Sequence, residues 1–547
     1  MLQLSGTTIL VLKEGSTRTR GRDAQRANIT AARVIGETVK SSLGPKGMDK
    51  MLVDGFGDIT VTNDGATILK EMEVEHPVAR IMVEVAKSQD QEVGDGTATA
   101  VVLASELLNN ALHLMDKDVH PSIIVEGFSS AVEKANQYLE EISVRVKASD
   151  RRVLNKVASV ALATKLLSED KDVLADLVVD AVLDVAEERS GKFYVDIDDV
   201  KIEKKTGGGI SDTRLIRGLV VDKEVVHSRM PKRVDDAKIA LIIKPFEIEK
   251  PEFDSKLTVE KPEQLDAFIK KEEEILRGMV EKLASTGANV LLCQRGIDDA
   301  AQHYMAKKGI LAARRLKMSD MEKLAKATGA KIVTEVREID RGDLGHAKIV
   351  EERKVGDDRM LFVEGCTNPK AVTIFVRGGT ERIINEAERA LHDALCVVRD
   401  VVREPMIVAG GGSPEAEIAR RLRIYASKTS GRSQLALLAF ADALESIPMT
   451  LAENAGLDPI DVLVDLRARH DKGQLWSGID ASRGSISDMY RTGIYEPSSV
   501  KKQAMASASE AANMILKIDE MIAVGKPKSE ARPPKGPEEG AGETEES

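Results

Sequence analysis

A change of hydrophobic pattern along the chain constrains the fold most strongly. Residues 22–43 and 97–114 carry apolar side chains at every third or fourth position, which is typical of amphipathic helices. Between residues 215 and 370, short apolar runs such as 290–293 alternate with helical segments, which indicates an α/β layer. Helical periodicity then dominates to about residue 524. At 547 residues, the chain is predicted to form an α+β protein of three or four domains.

Charge and cysteine content exclude several classes of protein. The net charge of −11 argues against binding to a nucleic-acid backbone as the main function. The three cysteines, Cys293, Cys366 and Cys396, are far apart, which favours a reducing, intracellular location over a disulfide-bonded one. The longest charge-free stretch is about a dozen residues, too short for a membrane span, and the N-terminus lacks the pattern of a signal peptide.

The segment Gly94-Asp95-Gly96-Thr97-Ala98-Thr99 at the start of a predicted helix has the chemistry of an anion site. Glycines allow backbone N–H groups to approach phosphate oxygens, and a helix N-terminus favours negative charge. Asp95 is a hard oxygen ligand that suits Mg²⁺, and the threonines can donate hydrogen bonds. The alternative is an ordinary turn in which Asp95 or Thr97 caps the helix.

Two further glycine loops can each be interpreted either as part of a binding site or as a structural feature. Residues 43–47, Leu-Gly-Pro-Lys-Gly, could offer backbone and a lysine to a polyphosphate, although helix C-caps look much the same. Residues 410–412, three consecutive glycines, could line a binding site, form a hinge between domains, or do both.

Asp64 and Asp393 are candidates for a carboxylate that orients or deprotonates water in phosphoryl transfer. In helical projection, Asp393 lies opposite the apolar stripe of its helix, where an aspartate is usually solvated. The sequence has no GxxxxGK[ST] P-loop, no HExxH and no GxSxG motif. Standard P-loop, zinc-peptidase and serine-hydrolase sites are therefore not expected.

Several of these motifs, in this order, resemble those of group II chaperonins, most closely the archaeal thermosome subunits. The resemblance extends from about Leu4 to Val524. The motifs that carry it are residues 43–52 (LGPKGMDKML), 63–68 (NDGATI), 94–97 (GDGT), 391–395 (LHDAL, with Asp393) and 410–412 (GGG).

The resemblance implies a chaperonin fold with a mostly helical equatorial domain, a small intermediate domain and an α/β apical domain with a helical protrusion. Two of these domains are each built from two chain segments. The implied boundaries are 1–148 and 403–524 for the equatorial domain, 149–218 and 373–402 for the intermediate domain, 219–372 for the apical domain, about 245–281 for the protrusion that acts as a built-in lid, and 525–547 for a disordered acidic tail.

The resemblance also implies roles for individual residues. Asp393, helped by Asp64, would position water, Lys165 would sense the γ-phosphate, and Asp95 would bind Mg²⁺. This chain has Ala98 where the family usually has threonine, so one phosphate-facing hydroxyl is missing. The implied nucleotide contacts are Gly44, Pro45, Asp95, Gly96, Thr97, Ala98, Thr99, Thr164, Lys165, Gly411, Asp480, Ala481 and Glu496.

The implied function is that of a cytoplasmic chaperone that uses ATP and Mg²⁺ to fold non-native polypeptides inside a double-ring chamber. Like or paralogous subunits would form two stacked rings, eight or nine per ring, with no nucleic acid, membrane or separate lid protein as partner. Two alternatives are an ATP-driven unfoldase, which would normally carry a P-loop, and a non-catalytic holdase. Candidate contacts for non-native chains are Tyr304, Met305, Met318 and Met321, with ordinary packing as the alternative for at least half of them.

Overall fold

The computed structural model describes residues 2–4, 7–9, 17–164, 171–248, 262–366 and 369–523. Lys165, the middle of the predicted protrusion at 249–261, and the predicted tail at 525–547 lie outside these residues.

The first part of the chain is mainly helical, as predicted, because its apolar positions follow the helical period. A hairpin forms around residues 55–57, and its two strands pair antiparallel. The elements are β1 (Leu2–Leu4), β2 (Thr7–Ile9), β3 (Thr17–Arg20), α1 (Gly21–Lys40), β4 (Lys50–Val53), β5 (Ile59–Thr62), α2 (Gly65–Glu71), α3 (Pro77–Val93), α4 (Thr97–Asp116), α5 (Pro121–Ile142) and β6 (Val144–Arg145).

Two helices and a small sheet follow. Strand β9 later pairs in parallel with a strand from residues 372–378, so two distant chain segments share this sheet. The elements are α6 (Arg151–Leu162), α7 (Lys171–Val185), β7 (Glu187–Arg189), β8 (Lys192–Tyr194), β9 (Val200–Thr206) and β10 (Arg214–Ile216).

The middle segment contains the predicted α/β layer. Its seven described strands form one mixed sheet, in which β12 pairs in parallel with β13 and antiparallel with β16. The elements are β11 (Gly218–Val221), β12 (Arg233–Ile242), α8 (Pro262–Ser285), β13 (Val290–Cys293), α9 (Asp299–Lys307), β14 (Leu311–Ala313), α10 (Met318–Thr328), β15 (Ile332–Val333), β16 (Gly345–Val355) and β17 (Asp358–Glu364).

The last part returns to helices. Strand β19 lies between β6 and a later strand, β22, so the end of the chain packs back onto its beginning. The elements are β18 (Val372–Gly378), α11 (Glu381–Arg403), β19 (Met406–Ala409), α12 (Ser413–Ser427), α13 (Ser433–Asn454), α14 (Pro459–Asp471), β20 (Ser477–Asp480), β21 (Ser485–Asp488), α15 (Met489–Thr492), β22 (Tyr495–Pro497), α16 (Ser498–Leu516) and β23 (Glu520–Ala523).

Three large clusters of buried apolar residues organise the described chain. The helical cluster joins α1 and α3–α5 to α12, α13 and α16. The intermediate cluster joins α6 and α7 to β18 and α11. The α/β cluster lies within residues 219–371. This distribution agrees with three domains, two of which are each built from two chain segments. The residue boundaries of the domains stay a prediction.

Helix α13 is the one described helix that is long and apolar enough to cross a membrane. Within its most apolar window, 67% of the residues are buried inside the protein. Phe440 of this helix is fully buried and meets Phe128 of α5 edge to face, with ring centroids 5.8 Å apart. This packing favours a core helix over a membrane span.

Candidate functional site

A cavity of about 460 Å³ lies among the N-terminal and C-terminal helical segments and helix α6. Residues from well-separated parts of the chain form its walls. These walls include every predicted binding residue that the structure describes, namely Gly44, Pro45, Asp95, Gly96, Thr97, Ala98, Thr99, Thr164, Gly411, Asp480, Ala481 and Glu496, and also Asp64.

One wall is the N-terminus of α4. Gly96 is its N-cap, in a left-handed conformation (φ +76°), and no side chain caps the helix. The alternative in which Asp95 or Thr97 caps it is therefore wrong, because the cap position falls on the glycine between them. The Asp95 carboxylate accepts a hydrogen bond from the Gly96 N–H at 2.6 Å, and the Gln89 amide donates to the Asp95 carbonyl at 2.9 Å. A 20-residue helix thus directs its positive end toward the cavity.

Asp64 connects the N-terminus of α4 to the N-terminus of α2. One carboxylate oxygen caps α2 by accepting the Thr67 N–H at 2.8 Å, and the other accepts the Thr97 hydroxyl at 3.2 Å. The carboxylate is therefore held between the starts of two helices, α2 and α4.

The loop that contains Gly44 approaches from the end of α1. That helix ends at Lys40 with Ser41 as C-cap, so the alternative in which Gly44 caps it is wrong. Gly44 has φ +83°, a value that favours glycine, and its carbonyl accepts the Gly47 N–H at 2.9 Å. The loop is therefore a separate turn that presents Gly44 and Pro45 to the cavity.

The three consecutive glycines form a closely packed wall. Gly411 (φ +67°) accepts a hydrogen bond from the Ile479 N–H at 2.8 Å, and Gly412 is the N-cap of α12. A Cβ atom on Gly411 would lie 2.7 Å from the Ile479 carbonyl oxygen. This contact favours a rigid wall over a flexible hinge.

A second region of the cavity wall, its carboxylate end, contains Asp480 and Glu496. Asp480 is buried and accepts N–H groups of Ser482 and Arg483 at 3.1 and 3.2 Å. Glu496 lies 2.6 Å from the ammonium group of Lys501. Hydroxyl groups of a ligand suit this end better than phosphates do, because carboxylates accept hydrogen bonds and repel anions.

Asp393 lines a neighbouring cleft of about 680 Å³ rather than the cavity itself. Asp64 lines both spaces, so the two predicted water-positioning carboxylates lie on one connected surface. The Asp393 side chain is buried, and the expectation of a solvated position is wrong. Helix α11 packs against α6 and α7 and also against α3, so its polar side is covered as well.

His392 is the neighbour of Asp393 in this cleft. Its Nδ1 atom lies 3.9 Å from an Asp393 carboxylate oxygen, and its ring contacts the Cys396 sulfur. Asp393 and Cys396 together raise the pKa of His392 above its ordinary value. A positive imidazolium beside Asp393 favours the ionised carboxylate.

Two of the four candidate contacts for non-native chains follow the packing alternative. Met305 and Met321 are fully buried in the α/β cluster, so they pack the core and cannot contact a client chain in this structure. Met318 is 37% exposed and Tyr304 is half-buried, so both remain accessible. Lys165 follows Thr164, which lines the cavity, but itself lies outside the described residues.

The cavity also contains residues that sequence reasoning missed. Lys156 and Ser159 of α6 and its C-cap residue Ala163 line the cavity, and their three- and four-residue spacing just before Thr164 could have identified this face. Lys501 had no such signal, because its proximity to Glu496 depends on how α16 packs.

The described residues contain no group of three or more histidine, cysteine, aspartate or glutamate side chains that could hold a metal ion. A divalent cation at Asp95 would therefore need oxygen ligands from a bound molecule as well. A polyphosphate at the N-terminus of α4 fits that requirement, since Mg²⁺ commonly binds one or two carboxylates together with phosphates.

Comparison with known proteins identifies close relatives. The model of the TCP-1/cpn60 chaperonin family matches residues 35–526. The chain is 57% identical to a thermosome subunit of Methanopyrus kandleri over 96% of both chains. It is 57% identical to a thermosome subunit of Pyrococcus abyssi over 98% of both, and 54% identical to thermosome subunit alpha of Archaeoglobus fulgidus over the full length of both.

Proposed function

Since this chain belongs to the TCP-1/cpn60 chaperonin family, as its motifs predicted, we propose that it is an ATP-hydrolysing chaperone subunit of a double-ring folding chamber. The α+β multidomain chaperonin fold is confirmed with the family. One observation carries the catalytic part of the proposal. A single cavity collects glycine loops, a helix N-terminus and carboxylates from well-separated chain segments, and Asp64 lines both this cavity and the cleft that contains Asp393.

The two ends of the cavity suit the two ends of a nucleoside triphosphate. Phosphates would lie at Gly96, Thr97, Ala98 and Thr99, where the helix dipole and backbone N–H groups stabilise negative charge. Mg²⁺ held by Asp95 and the phosphates would neutralise charge that develops on the leaving group. The sugar and base would lie at Gly411, Asp480, Ala481 and Glu496, with Gly44 and Pro45 on a further wall.

Asp393 and Asp64 would orient the attacking water. A carboxylate can accept the proton of a water molecule while that water attacks the terminal phosphorus atom. The buried position of Asp393 keeps its carboxylate out of bulk solvent, and His392 beside it favours ionisation. Lys165, next to Thr164, is the proposed sensor of the γ-phosphate. Backbone donors at the start of α4 would compensate for the hydroxyl missing at Ala98.

The partners proposed for the subunit are non-native polypeptides and further subunits of the same or a paralogous kind. Relatives named as alpha and beta subunits in Archaeoglobus fulgidus are consistent with assemblies of more than one subunit type. We propose two stacked rings of eight or nine subunits, a built-in lid from residues 245–281, and a cytoplasmic location. Binding of ATP would favour one arrangement of the domains, and hydrolysis would favour another.

Asp393→Ala tests the catalytic assignment. We expect ATP turnover to fall by about 10²- to 10⁴-fold, because that is the usual contribution of a positioned general base. Glu381→Ala is the matched control, since it removes an exposed carboxylate from the first turn of the same helix. Wild-type turnover in purified Asp393→Ala protein would show that Asp393 is not the base.

Electron microscopy of negatively stained protein tests the chamber. Stacked rings with ATP turnover would support the proposal, whereas isolated monomers would refute the chamber. ATP-independent suppression of aggregation, with no measurable hydrolysis, would favour the holdase alternative instead.

A further inference from the structure

A buried ion-pair cluster lies behind the carboxylate end of the cavity. The Lys501 ammonium lies 2.9 Å from Glu415 and 2.6 Å from Glu496. The exposed side-chain fractions are 10% for Lys501, 7% for Glu415 and 23% for Glu496. Of the three, Glu496 is therefore the most accessible from the cavity, which it lines together with Lys501.

Lys501 connects two elements that form the cavity wall. Glu496 is on β22, where it lies opposite Val408 of β19, and Glu415 is in the first turn of α12. Residues 410–412 connect β19 to α12. Lys501 therefore links the strand that pairs with β19 to the first turn of α12, and these two elements lie on either side of the glycine loop in sequence. One oxygen of Glu496 packs against Gly410, 2.6 Å from where a Cβ atom would lie, and the other contacts Lys501.

Lys501 is the cation that opposes the effect of burial and of nearby carboxylates on Glu496. The pKa of Glu496 is raised above its ordinary value, because burial and the carboxylates of Glu415 and Asp95 outweigh the opposing effect of Lys501. Burial lowers the pKa of Lys501, but the two glutamates outweigh this effect and raise it. Without the ammonium group, the carboxylates of Glu415 and Glu496 would lose the cation that lies within 2.9 Å of both.

We propose that Lys501 is a positioning residue that holds Glu496 at the cavity wall as an acceptor for hydroxyl groups of the nucleotide sugar. The proposal rests on the proposed function, because it assumes that the cavity binds a nucleotide. A carboxylate accepts hydrogen bonds only, so it suits the two sugar hydroxyls as donors and disfavours phosphate. Lys501 thereby sets both the affinity for the nucleotide and the preference for an intact ribose.

Lys501→Met tests this role by steady-state kinetics with ATP and with 2′,3′-dideoxyATP. We expect KM for ATP to rise about tenfold or more, since hydrogen bonds to charged groups contribute on that scale, with a much smaller change in kcat. The preference for ATP over the dideoxy nucleotide should shrink, because the acceptor for the missing hydroxyls is misplaced. Lys502→Met is the control: Lys502 is half exposed and lies 3.8 Å from Glu140, on the surface.

A double-mutant cycle separates this role from a general loss of structure. If Lys501 acts through Glu496, then Lys501→Met should cause little further rise in KM when added to Glu496→Gln. If Lys501→Met does not fold, the double variant Glu415→Gln/Lys501→Met removes one buried carboxylate together with the cation. Its KM for ATP and its preference for ATP over 2′,3′-dideoxyATP then replace those of the single variant in the comparison.

Three results would overturn the proposal: an unchanged KM, an unchanged preference for ATP over 2′,3′-dideoxyATP, or an additive effect with Glu496→Gln. A wild-type protein without ATP turnover would instead refute the proposed function. The two failures are therefore distinguishable in the same set of assays.

Discussion

Gly411→Ala probes the close approach between the glycine loop and strand β20. Two costs apply at this position. The left-handed conformation at φ +67° costs an L-residue about 1–2 kcal/mol. The new methyl group would also lie 2.7 Å from the Ile479 carbonyl oxygen and 2.9 Å from the Met489 sulfur. Overpacking of this kind typically costs about 1–3 kcal/mol more, because the backbone oxygen cannot simply rotate away.

Gly431→Ala is the matched control. Gly431 has a similar backbone conformation, φ +84°, but a Cβ atom there would meet nothing within 4 Å. The control therefore includes the conformational cost without the steric one. The difference between the two variants, about 1–3 kcal/mol in the free energy of unfolding, isolates the contact with β20.

The assay combines urea unfolding with ATP kinetics. Because β20 ends at Asp480, a displaced strand should weaken the carboxylate end of the cavity, so we expect Gly411→Ala to raise KM for ATP and Gly431→Ala to leave it unchanged. Equal unfolding free energies and equal KM values for the two variants would refute the argument that the loop is a rigid wall.

Two further variants test buried interactions in the helical segments. Burial alone would raise the pKa of Glu417, but His470, Arg420 and Arg421 lower it to about 2, compared with an ordinary value of 4.5. This carboxylate should therefore contribute about 3 kcal/mol of stability above pH 4.5, and the contribution should be lost as the pH falls toward 2. Urea unfolding of wild type and Glu417→Gln at several pH values measures it, and a difference independent of pH between 5 and 3 would contradict the assignment. Phe440→Ala should cost about 3–5 kcal/mol, because the ring is fully buried against Phe128. Val173→Ala, at a position 56% exposed, should stay within about 0.5 kcal/mol in the same assay, and similar losses for both would contradict the core assignment.

Local hydrophobic patterns predicted the helices and strands well, because each pattern depends on a single segment of the chain. The apolar stripe from residue 384 to residue 402 predicted a helix, and α11 spans Glu381–Arg403. The run at 290–293 predicted a strand, and β13 has the same bounds. In both cases the period of the apolar side chains determines the backbone that can bury them.

The same reasoning failed where a second element covers the polar side. Asp393 lies opposite the apolar stripe, yet it is buried because α11 is packed on more than one side. Met305 and Met321 fill the core under the mixed sheet, which is the packing alternative for half of the four candidate contacts. The sequence of one helix does not show which of its faces a distant segment will cover.

The placement of the cavity has a physical consequence that the motifs alone do not contain. The end of the cavity proposed to hold phosphates belongs to α4, which packs in the helical cluster. Ser159 and Thr164 come from α6 and the turn that follows it, and α6 packs in the intermediate cluster. Asp393 is on α11, which also belongs to the intermediate cluster. A ligand that contacts both walls is bound most tightly at one separation of the two clusters, so its binding energy must favour that separation over others. The same separation sets the distance from Asp393 to the phosphate end, so nucleotide binding and the position of the proposed base are coupled through one geometric variable.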